Sequence, residues 1–308
     1  MTIYRIALSA IACVVLAVSA QATPASAAAE VSASQQAASE PLPRGIGSFT
    51  FSGWNGPQIP VHTYVPEAID ATSAPILIVM HGAQRDPRRY LGEWTAIADQ
   101  LGFIAIAPEF SKRQLETSRQ YNLGHLSERG SSELRPREQW SFAAIEPLFD
   151  EVVARLGSDR ETYTLYGHSA GSQYVHRFML TQRETRAERF LAANAGWYTL
   201  PTFALEYPYG LNGTDLDSDD LQAALARDLV ILLGDRDIDP DSSSLNKSQG
   251  AMMQGKHRFA RGQFFFNFGK EMAARQGWDF GWSLRVIPGV AHSNGGMAKG
   301  AGDLVMPN

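Results

Sequence analysis

The chain has 308 residues, of which 44% are hydrophobic, and a formal charge of −5. An acidic protein without a cluster of Lys and Arg is poorly suited to hold nucleic acid or an anionic membrane by charge, and its length and apolar content suit one α/β domain better than two. The single cysteine, Cys13, lies near the N-terminus, so removal of that segment leaves neither a disulfide nor a thiol nucleophile.

Arg5 is the only charge before Glu30, and an apolar run over residues 6–18 leads to small-residue cleavage positions after Ala20 or Ala27. This pattern predicts a secretory signal peptide over residues 1–27, too short in its apolar run for an ordinary membrane span. Ala10, three before Cys13, and the apolar residues beyond that cysteine argue against a lipidated leader. Residues 28–46 are dominated by small and polar side chains that bury too little to fold. They predict a disordered linker ahead of one domain over residues 47–308, in a protein that is secreted or periplasmic, without stable membrane association after cleavage.

Residues 49–51 and 61–65 alternate in the manner of strands around the turn at residues 53–57, which predicts an antiparallel hairpin at one edge of a sheet. Residues 75–80 are apolar on both faces, as a buried parallel strand is, and end at His81-Gly82-Ala83. Helical spacing in Leu91, Trp94, Ile97, Ala98 and Leu101 predicts a helix over residues 89–101, followed by a second buried strand at 103–107. Residues 109–136 are polar and aperiodic, and a loop of that length is usually functional or mobile. Further helical spacing covers 140–156 and 258–276, with a shorter helix at 221–226. Strands are expected at 189–195, 228–233 and 282–287.

Between them, residues 162–180 read TYTLYGHSAGSQYVHRFML, a β-prone run, a Gly-His-Ser-Ala-Gly turn and a helical pattern. Small residues on both sides of Ser169 suit a backbone that reverses within a few residues, and the serine hydroxyl then stands at the strand's carboxyl end beside the first amides of a helix. In an open parallel sheet the carboxyl ends of the strands share one edge, so four loops converge there. They carry Gly82-Ala83, Ser169, the aspartates 235, 237 and 239, and His292.

Gly-x-Ser-x-Gly followed by an acid and then a histidine is the order found in α/β-hydrolases. On HGA, GHSAG, GDRD and PGVAH, residues 48–300 resemble that superfamily, in a branch similar to secreted esterases of the polyhydroxyalkanoate depolymerase and feruloyl esterase type. The resemblance implies an α/β-hydrolase fold, a mostly parallel central sheet with helices on both faces. It also implies a serine carboxylesterase-type hydrolase that uses Ser169 as nucleophile, His292 as base, and the N–H groups of Ala83 and Ala170 as oxyanion donors. Asp237 fits the superfamily's spacing from Gly234 and is preferred as the acid over Asp235 and Asp239. The implied substrate is a small or polymeric ester, with no cofactor. A peptidase or acyltransferase on the same triad, and a non-catalytic binding protein of the same fold, are the competing readings.

His81 and His168 suit packing beside the site, while His62, His125, His176 and His257 show no ligand spacing. Asp235, Asp237, Asp239 and Asp241 alternate as in a calcium loop, but Pro240 and Asn246 occupy positions that need glycine and glutamate, so no metal is expected. Trp197, Tyr198, Tyr207 and Tyr209 suit either a substrate pocket or the core and rim of a loop.

Overall fold

A computed structural model describes residues 40–306. The expected signal peptide and all but the end of the expected linker lie outside the described residues. Eight strands form one sheet in the order β1-β2-β4-β3-β5-β6-β7-β8. These are β1 (Gly45–Phe51), β2 (Ile59–Val65), β3 (Ile76–Met80), β4 (Ile104–Pro108), β5 (Tyr163–His168), β6 (Ala187–Ala193), β7 (Leu229–Gly234) and β8 (Ser283–Ile287). The hairpin β1–β2 is antiparallel and forms the edge, starting two residues inside the expected linker, and β2 meets β4 antiparallel. All remaining pairs are parallel.

Side chains alternate across each central strand, so a strand apolar at every position feeds two cores. In β3, Ile76, Ile78 and Met80 join one core, which also takes Phe149, Phe178, Leu225 and Phe265. Leu77 and Val79 face the other, with Trp94 and Met297. The helices that supply those residues cover the two faces: α2 (Ile145–Leu156), α3 (Ala170–Thr181), α4 (Ser218–Ala226) and α6 (Arg258–Gln276) on the first, α1 (Pro87–Leu101) and α7 (Asn294–Ala301) on the second. Among the described residues, no helix is long and apolar enough to cross a membrane.

The chain leaves β3 through α1 to β4 on one side, then returns to place β5 on the other side of β3. The strand order therefore reverses between β3 and β5, and a crevice opens at their carboxyl ends. That position receives the loops after both strands.

Two segments differ from the sequence expectation. The helix over 140–156 begins as 3-10 turns at Arg137–Gln139 and Ser141–Ala144, and is α-helical only from Ile145. Pro147 has no N–H to give the carbonyl of residue 143, so the α ladder cannot run further back. Residues 109–136 contain no long element, yet Leu115, Tyr121 and Leu126 are buried in the core. The Tyr121 hydroxyl donates to the His81 carbonyl at 2.7 Å, and the Arg85 guanidinium lies 4.2 Å over its ring. The long loop is thereby pinned to the end of β3. Two short helices escaped the periodicity: α5 (Gln249–Gln254) and α7, both rich in glycine, methionine or glutamine and without an apolar stripe.

Candidate active site

Ser169 caps α3 with φ 60° and ψ −116°, a conformation that residues with a Cβ rarely adopt. The strain is held by packing. A Cβ on Gly167 would stand 2.3 Å from the Gly171 carbonyl, and one on Gly171 would stand 2.0 Å from the Met80 carbonyl oxygen. The Ser169 N–H donates to the Ala193 carbonyl at 3.0 Å, tying the turn to the end of β6. Ala170 follows as the first residue of α3, where a helix's opening amides have no acceptor of their own. Ala83, after β3, lines the same crevice as Ser169.

The structure brings Ser169, His292 and Asp237 into one chain of contacts. His292 Nε2 lies 3.0 Å from Ser169 Oγ, and His292 Nδ1 lies 2.7 Å from Asp237 Oδ2. Asp237 is 3% exposed, and its other oxygen accepts from Arg258 Nη1 at 3.2 Å. Arg258 is equally buried and donates through Nη2 to Ser244 Oγ at 2.8 Å. An imidazole held between a hydroxyl and a buried carboxylate can take a proton from the first while the second stabilises the imidazolium. Arg258 was not legible as a site residue, because one arginine at the start of a helix carries no spacing signal.

The neighbouring aspartates have other work. Asp235 Oδ1 accepts from the Gly289 N–H at 2.7 Å and braces the turn before His292. Asp239 accepts from the Asp241 N–H, and Asp241 pairs with Lys247. Among the described residues there is no cluster of three or more His, Cys, Asp or Glu that could hold a metal.

Asn194, another residue the sequence reading passed over, joins these loops. It is fully buried at φ 47°, accepts from the Gly234 N–H at 2.9 Å and donates to the Ala291 carbonyl at 3.2 Å. It thus links the loop that carries Asp237 to the loop that carries His292, which also meet directly through Arg236 N–H and the Val290 carbonyl at 2.9 Å.

The other histidines are accounted for by local contacts. His81 Nδ1 donates to the Gly82 carbonyl and Nε2 accepts from the Phe110 N–H, and burial holds its pKa down to about 3. His176 is buried between the Ser172 carbonyl and the Thr199 N–H. His62 meets Glu109, His125 meets Glu128, and His257 caps α6. The four aromatic candidates divide. Tyr198 is core, stacked on Phe265 at 4.5 Å, and Trp197 is buried between Arg177 and Tyr209. Tyr207 and Tyr209 line two surface pockets whose lining residues do not include Ser169.

The crevice at Ser169 encloses about 310 Å³, with Gln84, Arg89, Ser244 and Asn294 on its walls. A scan against protein-family models and a search of curated proteins return no match. Solved structures do. Poly(aspartic acid) hydrolase-1 from Sphingomonas sp. KT-1 is 44% identical with a TM-score of 0.83, covering 86% of this chain and 99% of its own. LpqC, a poly(3-hydroxybutyrate) depolymerase from Bordetella parapertussis, is 32% identical with a TM-score of 0.79, over 86% of this chain and 91% of its own. An S-formylglutathione hydrolase from Agrobacterium tumefaciens shares the fold at 18% identity and a TM-score of 0.54, over 84% and 91%. With that fold, and with that identity to hydrolases aligned over almost their whole length, the chain belongs to the α/β-hydrolases, in the esterase branch that holds poly(3-hydroxybutyrate) depolymerase-like enzymes.

Proposed function

We propose that the protein hydrolyses carboxylic esters through an acyl-enzyme on Ser169. The observation that carries this reading is the contact chain from Ser169 Oγ through His292 to the buried Asp237, at 3.0 Å and 2.7 Å. Ser169 Oγ attacks the ester carbonyl carbon as its proton passes to His292 Nε2, and Asp237 stabilises the imidazolium. The tetrahedral oxyanion accepts from the N–H groups of Ala83 and Ala170, each worth about 3 kcal/mol where such donors have been removed from proteases. Collapse expels the alcohol, which takes the proton from His292. Water then attacks the acyl group by the same route.

The volume of the crevice, about 310 Å³, and the absence of any large aliphatic side chain among the described residues that line it support short acyl groups over long alkyl chains. Arg5, the apolar run over residues 6–18 and the small residues that end at Ala20 and Ala27 support export. A second reading, amide hydrolysis on the same triad, is favoured by the 44% identity to a poly(aspartic acid) hydrolase, whose polymer is linked by amides. A fluorophosphonate probe is expected to label the wild-type protein and not Ser169→Ala. Loss of p-nitrophenyl ester turnover in the same variant, with short acyl chains preferred, is expected alongside. Labelling that survives Ser169→Ala sinks the acyl-enzyme reading, and faster turnover of aspartyl amides than of esters selects the second.

A further inference from the structure

One buried ring beside Ser169 has no task in that chemistry. His168 is 3% exposed, and its ring centre lies 4.6 Å from that of His292 with the planes 38° apart. Its Nδ1 is 3.0 Å from the Tyr90 hydroxyl, and its Nε2 is buried without a partner. Burial, and then the charge of His292, hold His168 well below the ordinary histidine range, so the ring is neutral and carries one hydrogen.

Counting partners places that hydrogen. Burial pushes Tyr90 up to about 12, so its hydroxyl keeps a proton. When the hydroxyl donates to Nδ1, the hydrogen of His168 sits on Nε2 and one buried polar group goes unmatched. The reverse orientation leaves both the tyrosine proton and the Nε2 lone pair unmatched. Each orphan carries its full desolvation penalty, so the first orientation holds. A Cβ on Gly82 would stand 2.4 Å from the same oxygen, so the Tyr90 hydroxyl that meets His168 also packs closely against the loop before Ala83.

The two hydrogen bonds of His292 leave from opposite sides of its ring, at Nδ1 and Nε2. The ring leaves this arrangement only by turning about its Cα–Cβ and Cβ–Cγ bonds, and the Nε2 contact to Ser169 is given up once the proton has moved to the imidazole. A flat neighbour against the ring face blocks that turn on one side. We propose that His168 is a positioning residue for His292: its anchored, uncharged ring is the wall against which the His292 imidazole stands with Nε2 on Ser169. The inference rests on the Ser169–His292–Asp237 reading above. The proton taken from Ser169 stays on His292 for the leaving group, and His168 gains none. The groups that face the pair are Tyr90 and Arg89 of α1, Asp237 beside His292, and Arg258 of α6 behind Asp237. Arg89 is itself paired with Glu93 at 3.0 Å.

Three variants test this with a short p-nitrophenyl ester from pH 5 to 9, after circular dichroism has shown which of them fold. His168→Ala is expected to lower kcat about 10- to 100-fold, the scale of a misplaced catalytic group, with KM within about twofold of wild type. Water that replaces the ring solvates the imidazolium, so the acid limb of kcat/KM moves to higher pH. His168→Phe restores a flat wall, and with it most of kcat and the original acid limb. Tyr90→Phe, which removes one oxygen, lowers kcat less than His168→Ala does. A folded His168→Ala with wild-type kcat and acid limb overturns the proposal, as does His168→Phe no better than His168→Ala. Should His168→Ala not fold, wild-type kcat in Tyr90→Phe overturns it instead. Ser169→Ala separates the two claims: an active Ser169→Ala defeats the triad reading, whereas an inert one beside unaltered His168 variants defeats only the positioning role.

Discussion

Three aspartates follow β7 within five residues, and one physical difference separates them. Asp237 is 3% exposed and shares its two oxygens between His292 and Arg258. Asp235 spends an oxygen on a backbone N–H, and Asp239 does the same in an exposed turn. Neutralising Asp237 removes the carboxylate that faces His292 Nδ1 at 2.7 Å and with it what fixes the tautomer of that ring in the proposed mechanism. Asp237→Asn is expected to lower kcat on the order of 10³- to 10⁴-fold, the size of the effect known for the corresponding change in a serine protease. Asp235→Asn keeps an acceptor for Gly289, so kcat stays within about threefold and stability falls by about 1 kcal/mol at most. Steady-state kinetics on the two variants side by side decide the matter, and equal losses would mean that the acid role is wrongly placed.

At the scale of elements, the site is a meeting of loops from β3, β5, β7 and β8, and its precision depends on what joins them. Asn194 supplies a joint that no helix or strand supplies, with one amide bridging Gly234 and Ala291. Asn194→Ala takes the acceptor from the buried Gly234 N–H, takes one of two donors from the Ala291 carbonyl, which keeps the Ser293 N–H, and puts alanine at φ 47°. A loss of about 2–3 kcal/mol follows. Because both bridged loops carry site residues, kcat falls with stability, by about tenfold or more. Urea titration and kinetics on the same preparation read both quantities, and a stability loss with unchanged kcat would show that other contacts hold the loops. The strands that present the loops were legible in the sequence, because apolar runs such as 75–80 and 228–233 have no alternative to full burial. The turn at Ser169 was legible because only glycine fits where Gly171 meets the Met80 carbonyl. Asn194, Arg258 and Tyr90 were not. Each is an ordinary residue type at an ordinary position in its element, and its role exists only through partners 40, 21 and 78 residues away. The same holds for the long loop at 109–136, where Tyr121 reaches the end of β3 across 40 residues of sequence.

For the molecule as a whole, those long-range contacts place neutral histidines inside the fold, and this sets its response to acid. His81, His168 and His176 are buried, and burial lowers the pKa of each, to about 3 for His81 and well below 6.5 for the other two. In the unfolded chain each returns to about 6.5. The unfolded state therefore binds more protons than the native state at every pH below that value, and stability falls as pH falls. The contribution is intact above pH 6.5, shrinks from there downward, and for His81 stops shrinking near pH 3, where the native imidazole also protonates. At pH 5 His81 alone costs about 2 kcal/mol relative to pH 7.5. His168 and His176 add in the same direction. Against the roughly 5–15 kcal/mol that holds a typical domain together, the loss from His81 at pH 5 is already a sizeable share, and it comes before most carboxylates begin to protonate. Urea midpoints measured between pH 7.5 and 5 are expected to fall steadily once pH drops below about 6.5. A flat midpoint across that interval would show that the three rings take up protons without unfolding the chain.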